Sequence, residues 1–360
     1  MEIVHVIGTL NIGGAEKLLK DLLPKLKEKG NEIHLLVIGS ANKIFIEYLV
    51  KNEVSVVLLG KSNIYNPINI FSINKIIKKF KYIHVHLFPA LYFMSVIKFF
   101  YPQKIFFYTE HSTSNKRRDK KYFKYLEKII YESYSKIISI SKDTELNLLE
   151  WLSFENDMGR FCTIGNGINI EEYSSAKPLP MDDYINKRVI LMVSRFSEQK
   201  DHETLIKAFR IVANKRRDVV LLFAGEGKTL IDMRKIVEEH SLSNIVHFLG
   251  NRNDIPNLMA LSDIGVQSSN WEGFGLTAVE FMASGTPFIG TDVKGLSEVV
   301  KNGGLLFKHG DYNDLAELIL KLLDDEHFYR GVSKKGKNKS QLYSCEKMAN
   351  SYIEVYKEFI

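Results

Sequence analysis

The sequence predicts two doubly wound, Rossmann-like α/β domains facing a cleft, on three observations. Short apolar runs alternate with amphipathic helical stretches along nearly the whole chain. The alternation lapses once, over residues 171–186, and then restarts. A length of 360 residues most simply divides into two domains, each large enough to bury its own core. Unbroken apolar runs are what strands buried on both faces look like, and helices between them make the strands parallel. Such sheets bind ligands beyond the carboxyl ends of their strands, so a cleft is expected there.

Taken in order, the first series has strands at 3–7, 33–38, 54–59, 83–86, 105–109 and 137–140, with helical stretches such as 15–29 and 68–80 between them. Residues 171–186 carry Pro178 and Pro180 and little periodicity, as a linker does. The second series has strands at 189–193, 219–224, 245–249, 264–267 and 287–290. The expected organisation is a first domain over 1–170, a linker over 171–186 and a second domain over 187–343, with a helix at 344–360 packing back on the first.

Composition narrows the class. With 45% hydrophobic and 26% charged residues, the chain falls outside disordered and fibrous proteins. Cys162 and Cys345 are too few and too far apart for a disulfide framework or a zinc ribbon, which suits a reducing cytosol. The opening MEIVHVIGTL lacks the basic flank and cleavage site of a signal peptide and reads as a strand. The longest apolar run, 87–97, contains Pro89 and stops at Lys98, short of what a bilayer core of about 30 Å requires. The chain is therefore expected not to cross a membrane.

The formal charge of +6 is uneven: residues 1–180 hold 25 basic and 18 acidic residues, and residues 181–360 hold 24 and 25. The densest part is Lys116, Arg117, Arg118, Lys120, Lys121, Lys124 and Lys128, interleaved with Tyr122, Phe123, Tyr125, Leu126, Ile129 and Ile130. Helical spacing makes this a core helix with a solvated basic face. The same pattern suits a surface that meets anionic lipid headgroups, and nucleic acid is a third partner for it.

Three stretches carry chemistry. Gly13 and Gly14 follow the first strand and open a helix, where backbone N–H groups and the helix dipole favour an anion; a tight turn without a ligand would look the same. The first strand of the second domain runs into Ser194-Arg-Phe-Ser-Glu-Gln-Lys200, which puts Arg195 and Lys200 where a phosphate-bearing ligand would sit, or leaves them as solvated charges. After the strand at 264–267, Glu272 and Glu280 flank the glycine-rich start of a helix, eight residues apart.

The segment EGFGLTAVEFMASGTPFIGTDVKGLSEVV, residues 272–300, resembles the signature of the large fourth family of retaining, nucleotide-sugar-dependent glycosyltransferases with the GT-B fold. GGAE near the start, Glu110-His111, Asn166-Gly-Ile-Asn169, RFSEQK, Ala224-Gly-Glu-Gly227 and Phe248-Leu-Gly250 follow in that family's order. The resemblance implies that Arg195 and Lys200 bind the donor diphosphate, and that Gly273, Phe274, Gly275 and Leu276 bring helix N–H groups to the same phosphates. It gives Glu280 the ribose hydroxyls and Glu272 the hydroxyls of the donor sugar. His111 would face that sugar from the first domain, Gly13 and Gly14 would line the cleft opposite, and the base would lie near Gly250 to Arg252. Asn169 stands where the family often has Asp.

The family pattern has no Asp-x-Asp metal motif. The resemblance therefore implies a metal-independent hexosyltransferase without a cofactor, working by front-face displacement in which the leaving diphosphate oxygen helps deprotonate the acceptor hydroxyl. The expected reaction moves a hexose or N-acetylhexosamine from a UDP- or GDP-sugar to a lipid-linked or polysaccharide acceptor in cell-surface glycan synthesis. The expected place is the cytoplasm, peripherally on the inner face of an anionic membrane, without nucleic acid. A GT-B nucleotide-sugar epimerase is the nearest alternative, and a basic nucleic-acid-binding protein is one from another class.

Overall fold

The computed structural model describes residues 1–11, 13–111, 117–118, 120–154, 159–181 and 184–360, with Lys121 described by its backbone alone. The chain divides into two compact units: Met1–Gly167 with Cys345–Ile360, and Ile168–Ser344.

The first unit contains β1 (Glu2–Ile7), α1 (Gly14–Glu28), β2 (Glu32–Val37), α2 (Lys43–Lys51), β3 (Ser55–Leu58), α3 (Asn69–Ile77), β4 (Tyr82–His86) and α4 (Ala90–Phe100). It continues with β5 (Ile105–Glu110), α5 (Lys121–Glu132), β6 (Lys136–Ser139), α6 (Lys142–Leu152) and β7 (Phe161–Thr163). The second unit runs through α7 (Ile170–Ser174), β8 (Arg188–Val193), α8 (His202–Lys215), β9 (Val219–Ala224), α9 (Leu230–Glu239), β10 (Val246–Phe248) and α10 (Ile255–Leu261). Then come β11 (Ile264–Gln267), α11 (Leu276–Ser284), β12 (Phe288–Thr291), α12 (Ser297–Val300), β13 (Leu305–Phe307), α13 (Tyr312–Asp324) and α14 (Glu326–Ser340). The last helix, α15 (Cys345–Lys357), belongs to the first unit.

Each unit holds one parallel sheet, in the orders β3-β2-β1-β4-β5-β6-β7 and β10-β9-β8-β11-β12-β13. The strand order reverses between β1 and β4 in one sheet and between β8 and β11 in the other, and a doubly wound sheet opens a crevice for ligands at that point. The central strands of each sheet are buried on both faces because helices cover both, whereas the edge strand β3 is largely exposed. In the first unit, Ile3, Leu18, Leu22 and Leu35 pack with Met348, Tyr352 and Tyr356 of α15 on one side, and Val4, Ile83, Phe106 and Tyr131 form the core of the other. Local chemistry fixes several helix starts: Asn42 accepts from the N–H groups of Ile44 and Phe45, Ser141 from Thr144, and Asp325 from Phe328.

Three features were not legible as read. The three-residue strands β7 and β13 are too short to leave a periodic signal. The segment read as a linker begins inside α7, whose Tyr173 is buried within the second unit. The basic stretch also divides differently. Helix α5 starts at Lys121, and Arg117 and Arg118 lie ahead of it with their side chains turned inward. Lys116 lies outside the described residues.

The inward turn has a plain cause. Glu127 is fully buried in α5, and it accepts from Arg117 Nε at 2.7 Å, Tyr92 Oη at 3.0 Å and Trp151 Nε1 at 2.7 Å. Buried Glu110 accepts from Tyr131 Oη at 2.6 Å and pairs with Arg118 at 3.4 Å. A buried carboxylate is tolerable only when paired and hydrogen-bonded, so these two arginines are structural cations and not part of a surface field. Among the described residues, no helix is long and apolar enough to cross a membrane.

Candidate functional site

In the second unit, the loops that leave β8 and β11 meet at the point where strand order reverses. Hydrogen bonds join them: Asn270 N–H donates to the Gln199 carbonyl at 2.8 Å, Asn270 Nδ2 to the Glu198 carbonyl at 2.6 Å, and Ser268 Oγ to the Asp201 carbonyl at 2.7 Å. This seam brings together two residues 72 positions apart. Lys200 Nζ lies 2.5 Å from Glu272 Oε1. Ser269 Oγ donates to the same oxygen at 2.6 Å, and Gln267 Nε2 donates to it as well. Glu272 is buried and Lys200 nearly so, which makes the ion pair a rigid feature.

Arg195 stands exposed one residue beyond Ser194, and its side chain forms no ion pair among the described residues. Its backbone is clamped from both sides. Ser194 N–H donates to the Ala224 carbonyl at 3.0 Å and Phe196 N–H to the Glu226 carbonyl at 3.0 Å. Gly225 and Gly227 have positive φ, and a Cβ on either would fall on the carbonyl of Ser194 or Phe196. Gly250 follows β10, and its carbonyl accepts from Gly225 N–H at 2.8 Å. Arg195 and Gly250 are thus placed by neighbouring loops on one edge of the sheet.

Gly273, Phe274 and Gly275 lead from Glu272 into α11. Gly275 sits at the helix N-cap with φ 86°, a conformation that favours glycine, and it offers no side chain to the free N–H groups of the first turn. Phe274 is buried against Tyr343, so only its backbone can serve a ligand; Leu276 is the first helical residue. Glu280, one turn further on, is buried.

Three residues that hold this site escaped the motif reading. Gly295, at φ 80°, lies so close to Glu272 that a Cβ would strike its carbonyl. Gln267 and Ser269 fix the carboxylate. A glutamine closing the otherwise apolar strand Ile264–Gln267 was the one available signal.

In the first unit, Gly13 is the N-cap of α1 with extended backbone, and Gly14 has open space where a Cβ would be. His111 follows β5 and is half-buried. Its Nε2 lies 3.2 Å from His86 Nδ1, and His86 Nε2 lies 3.0 Å from His5 Nδ1. Burial pushes the pKa of His111 down to about 4 and that of His5 down to about 3. Desolvation likewise holds His84 and His86 well below the usual range, helped by the neighbouring imidazoles.

His5, His84 and His86 are close enough to suggest a metal centre, but their geometry does not suit one. His84 lies over His5 and His86 at interplanar angles of 25° and 18°, so its in-plane lone pairs point away from theirs. His5 Nδ1 and His86 Nε2 face each other edge to edge at 3.0 Å, a hydrogen-bond separation too short to hold an ion between them. His84 also has both nitrogens engaged, Nδ1 by Tyr356 Oη at 2.6 Å and Nε2 by Thr109 Oγ1 at 2.8 Å.

Comparison with known proteins gives both halves of the chain the same affiliation. The family model described as Glycosyltransferase Family 4 matches residues 12–172, and that described as Glycosyl transferases group 1 matches residues 182–339. Over 174 residues the chain is 29% identical to the N-acetyl-alpha-D-glucosaminyl L-malate synthase of Bacillus anthracis, covering 48% of this chain and 45% of that protein. Over 226 residues it is 27% identical to an Escherichia coli UDP-Gal:alpha-D-GlcNAc-diphosphoundecaprenol alpha-1,3-galactosyltransferase, covering 59% of this chain and 58% of that one. The chain thus spans about half the length of these curated relatives. The crystal structure of HepE from Anabaena in complex with UDP and glucose matches with a TM-score of 0.86 at 20% identity, covering 100% of both chains, which is a likeness of fold.

Proposed function

The chain belongs to the glycosyltransferases of group 1 and family 4, with the two-domain GT-B fold, and from that premise we propose a retaining, metal-independent hexosyltransferase of cell-surface glycan synthesis. The observation that carries the reading is the Lys200–Glu272 pair, with exposed Arg195 on the same loop after β8, at the strand-order reversal of the second sheet and next to the uncapped start of α11. A nucleoside diphosphate sugar presents a diphosphate to cations and helix N–H groups and hydroxyls to a carboxylate, and this edge offers both.

In this reading Arg195, Lys200 and the N–H groups of Gly273 to Leu276 hold the diphosphate and take up the charge that grows on it as the sugar leaves. Glu272 accepts from hydroxyls of the sugar and Glu280 from those of the ribose. Gly250 borders the base, Gly14 leaves room for the β-phosphate or acceptor beside Gly13, whose own Cβ position is filled by the Glu16 carboxylate, and His111 hydrogen-bonds the transferred sugar. The acceptor hydroxyl gives its proton to the leaving phosphate oxygen as the new bond forms on the same face. A UDP-sugar is the favoured donor and a lipid-linked glycan the favoured acceptor, in line with the names of the relatives. Nucleoside diphosphate release from a panel of UDP-, GDP- and ADP-sugars, with and without EDTA, tests the core of this. One donor should turn over equally in both conditions, with no C2 epimer formed from donor alone. Complete loss on chelation, restored by Mg²⁺, would overturn the metal-independent reading.

The two glutamates should separate. Glu280→Gln should weaken binding of free nucleoside diphosphate about tenfold, whereas Glu272→Gln should leave it intact and weaken only the sugar-bearing donor. Equal losses by calorimetry would contradict the division of roles.

Membrane association takes a different form once Arg117 and Arg118 are structural. Val96, Phe99 and Phe100 of α4 and Tyr122, Tyr125 and Ile129 of α5 are exposed on neighbouring helices, with Lys120, Lys124 and Lys128 beside them. Exposed rings with flanking lysines suit an anionic bilayer surface, at about 1 kcal/mol per lysine. Cosedimentation with phosphatidylglycerol vesicles should fall at least tenfold in a Phe99→Ser, Phe100→Ser, Tyr125→Ser variant. Donor hydrolysis in solution should continue; wild-type protein that ignores the vesicles at low salt would end this reading.

A further inference from the structure

We infer that His86 and His5 are positioning residues that set the tautomer of His111, placing its proton on Nδ1 so that this nitrogen serves as a neutral hydrogen-bond donor. Three imidazoles stand in line, joined by two nitrogen–nitrogen contacts of 3.2 Å and 3.0 Å. Each contact needs one N–H and one lone pair. With one proton on each ring, fixing either end of the line therefore fixes all three.

The inner end is fixed by what it lacks. His5 is fully buried in β1, and its Nε2 has no hydrogen-bond partner among the described residues. That nitrogen holds either a bare lone pair or an orphaned N–H, and a buried N–H without an acceptor is the rarer and costlier outcome. His5 then carries its proton on Nδ1 and donates to His86 Nε2. His86 must carry its proton on Nδ1 and donates to His111 Nε2. The remaining proton of His111 sits on Nδ1, the opposite of the Nε2–H form that a free histidine side chain prefers in water.

The surroundings keep the line isolated. His84 stacks on both inner rings, with centroids 5.0 Å from His5 and 4.4 Å from His86, but its nitrogens are taken by Tyr356 and Thr109. The carboxylate next in sequence, Glu110, is turned to Tyr131 and Arg118. Desolvation keeps all three rings neutral around pH 7, His5 and His86 inside the core and His111 at its border. His111 is thereby suited to donate to an oxygen of a bound substrate rather than to act as a cation. That last step alone rests on the proposed transferase reading.

The tautomer can be read in the unliganded protein, whatever its activity. With ¹⁵N-labelled histidine, the His111 signals, assigned by a His111→Gln variant, should show a protonated Nδ1 and an unprotonated Nε2 at pH 7. A protonated Nε2 in the wild type overturns the proposal without any need for the relay variants to fold. His86→Phe should return His111 to the Nε2–H form and lower kcat about tenfold with donor KM within about twofold, whereas His86→Asn, which restores a donor near Nδ1, should recover both signals. An unchanged His111 tautomer in His86→Phe would also overturn it. If the wild type shows the Nδ1–H form but no nucleotide sugar turns over, the relay stands and the transferase reading falls.

Discussion

Arg195→Ala and Lys200→Ala should each lower sugar transfer by about 100- to 1,000-fold, the usual cost of removing one electrostatic donor from a developing negative charge. The structure separates the two variants in a second measurement. Arg195 is exposed and its side chain holds no ion pair among the described residues, so its loss should leave thermal stability unchanged. Lys200 is one of three donors on a buried carboxylate oxygen. Its removal leaves Glu272 with only Gln267 and Ser269 there, and that variant should lose melting temperature as well as rate. Single-turnover rates and a thermal melt on the same preparations decide it. Near-normal turnover in both variants would move the phosphate site elsewhere.

Glu127→Ala should cost about 3 to 5 kcal/mol of the first unit's stability, the largest effect expected away from the proposed donor site. Three donors converge on this one buried carboxylate, and truncation leaves the Arg117 guanidinium, the Tyr92 hydroxyl and the Trp151 indole without their acceptor. Glu127→Gln keeps the shape and part of the hydrogen bonding and should lose less. Urea unfolding followed by Trp151 fluorescence reports the first unit, since the other tryptophan, Trp271, lies in the second. A loss below about 1 kcal/mol for the alanine variant would mean that Arg117 finds solvent instead.

Those two cases show what the sequence could and could not reveal. Apolar runs such as 189–193 and 219–224 announce strands because burial on both faces favours an apolar composition throughout. The glycine-rich stretch from Glu272 to Gly275 is legible because a left-handed N-cap restricts residue choice. Side-chain direction is a tertiary fact. Arg117 and Arg118 look like surface charge until Glu127 and Glu110 are seen beneath them. His5 and His86 sit inside runs that read as ordinary buried strand, and only the β1–β4 register, where Val6 faces Val85 and Ile7 faces His86, brings them within reach of each other. A contact set by the pairing of strands about 80 residues apart leaves no local pattern to read.

The discontinuity of the first unit bears on how the chain is made. Synthesis runs from the amino end, so β1 to β7 emerge first, yet α15 emerges only after the whole of the second unit. Until then the slab of Ile3, Leu18, Leu22 and Leu35 lacks Met348, Tyr352 and Tyr356 as cover, and His84 and Thr109 lack the tyrosine hydroxyls that hold them. The second unit has all its elements in one continuous stretch and can close as it leaves the ribosome, while the first waits with an apolar face open. The unit that is translated first is therefore the last to be completed, and the interval between the two is when the nascent chain exposes its largest unfinished apolar face.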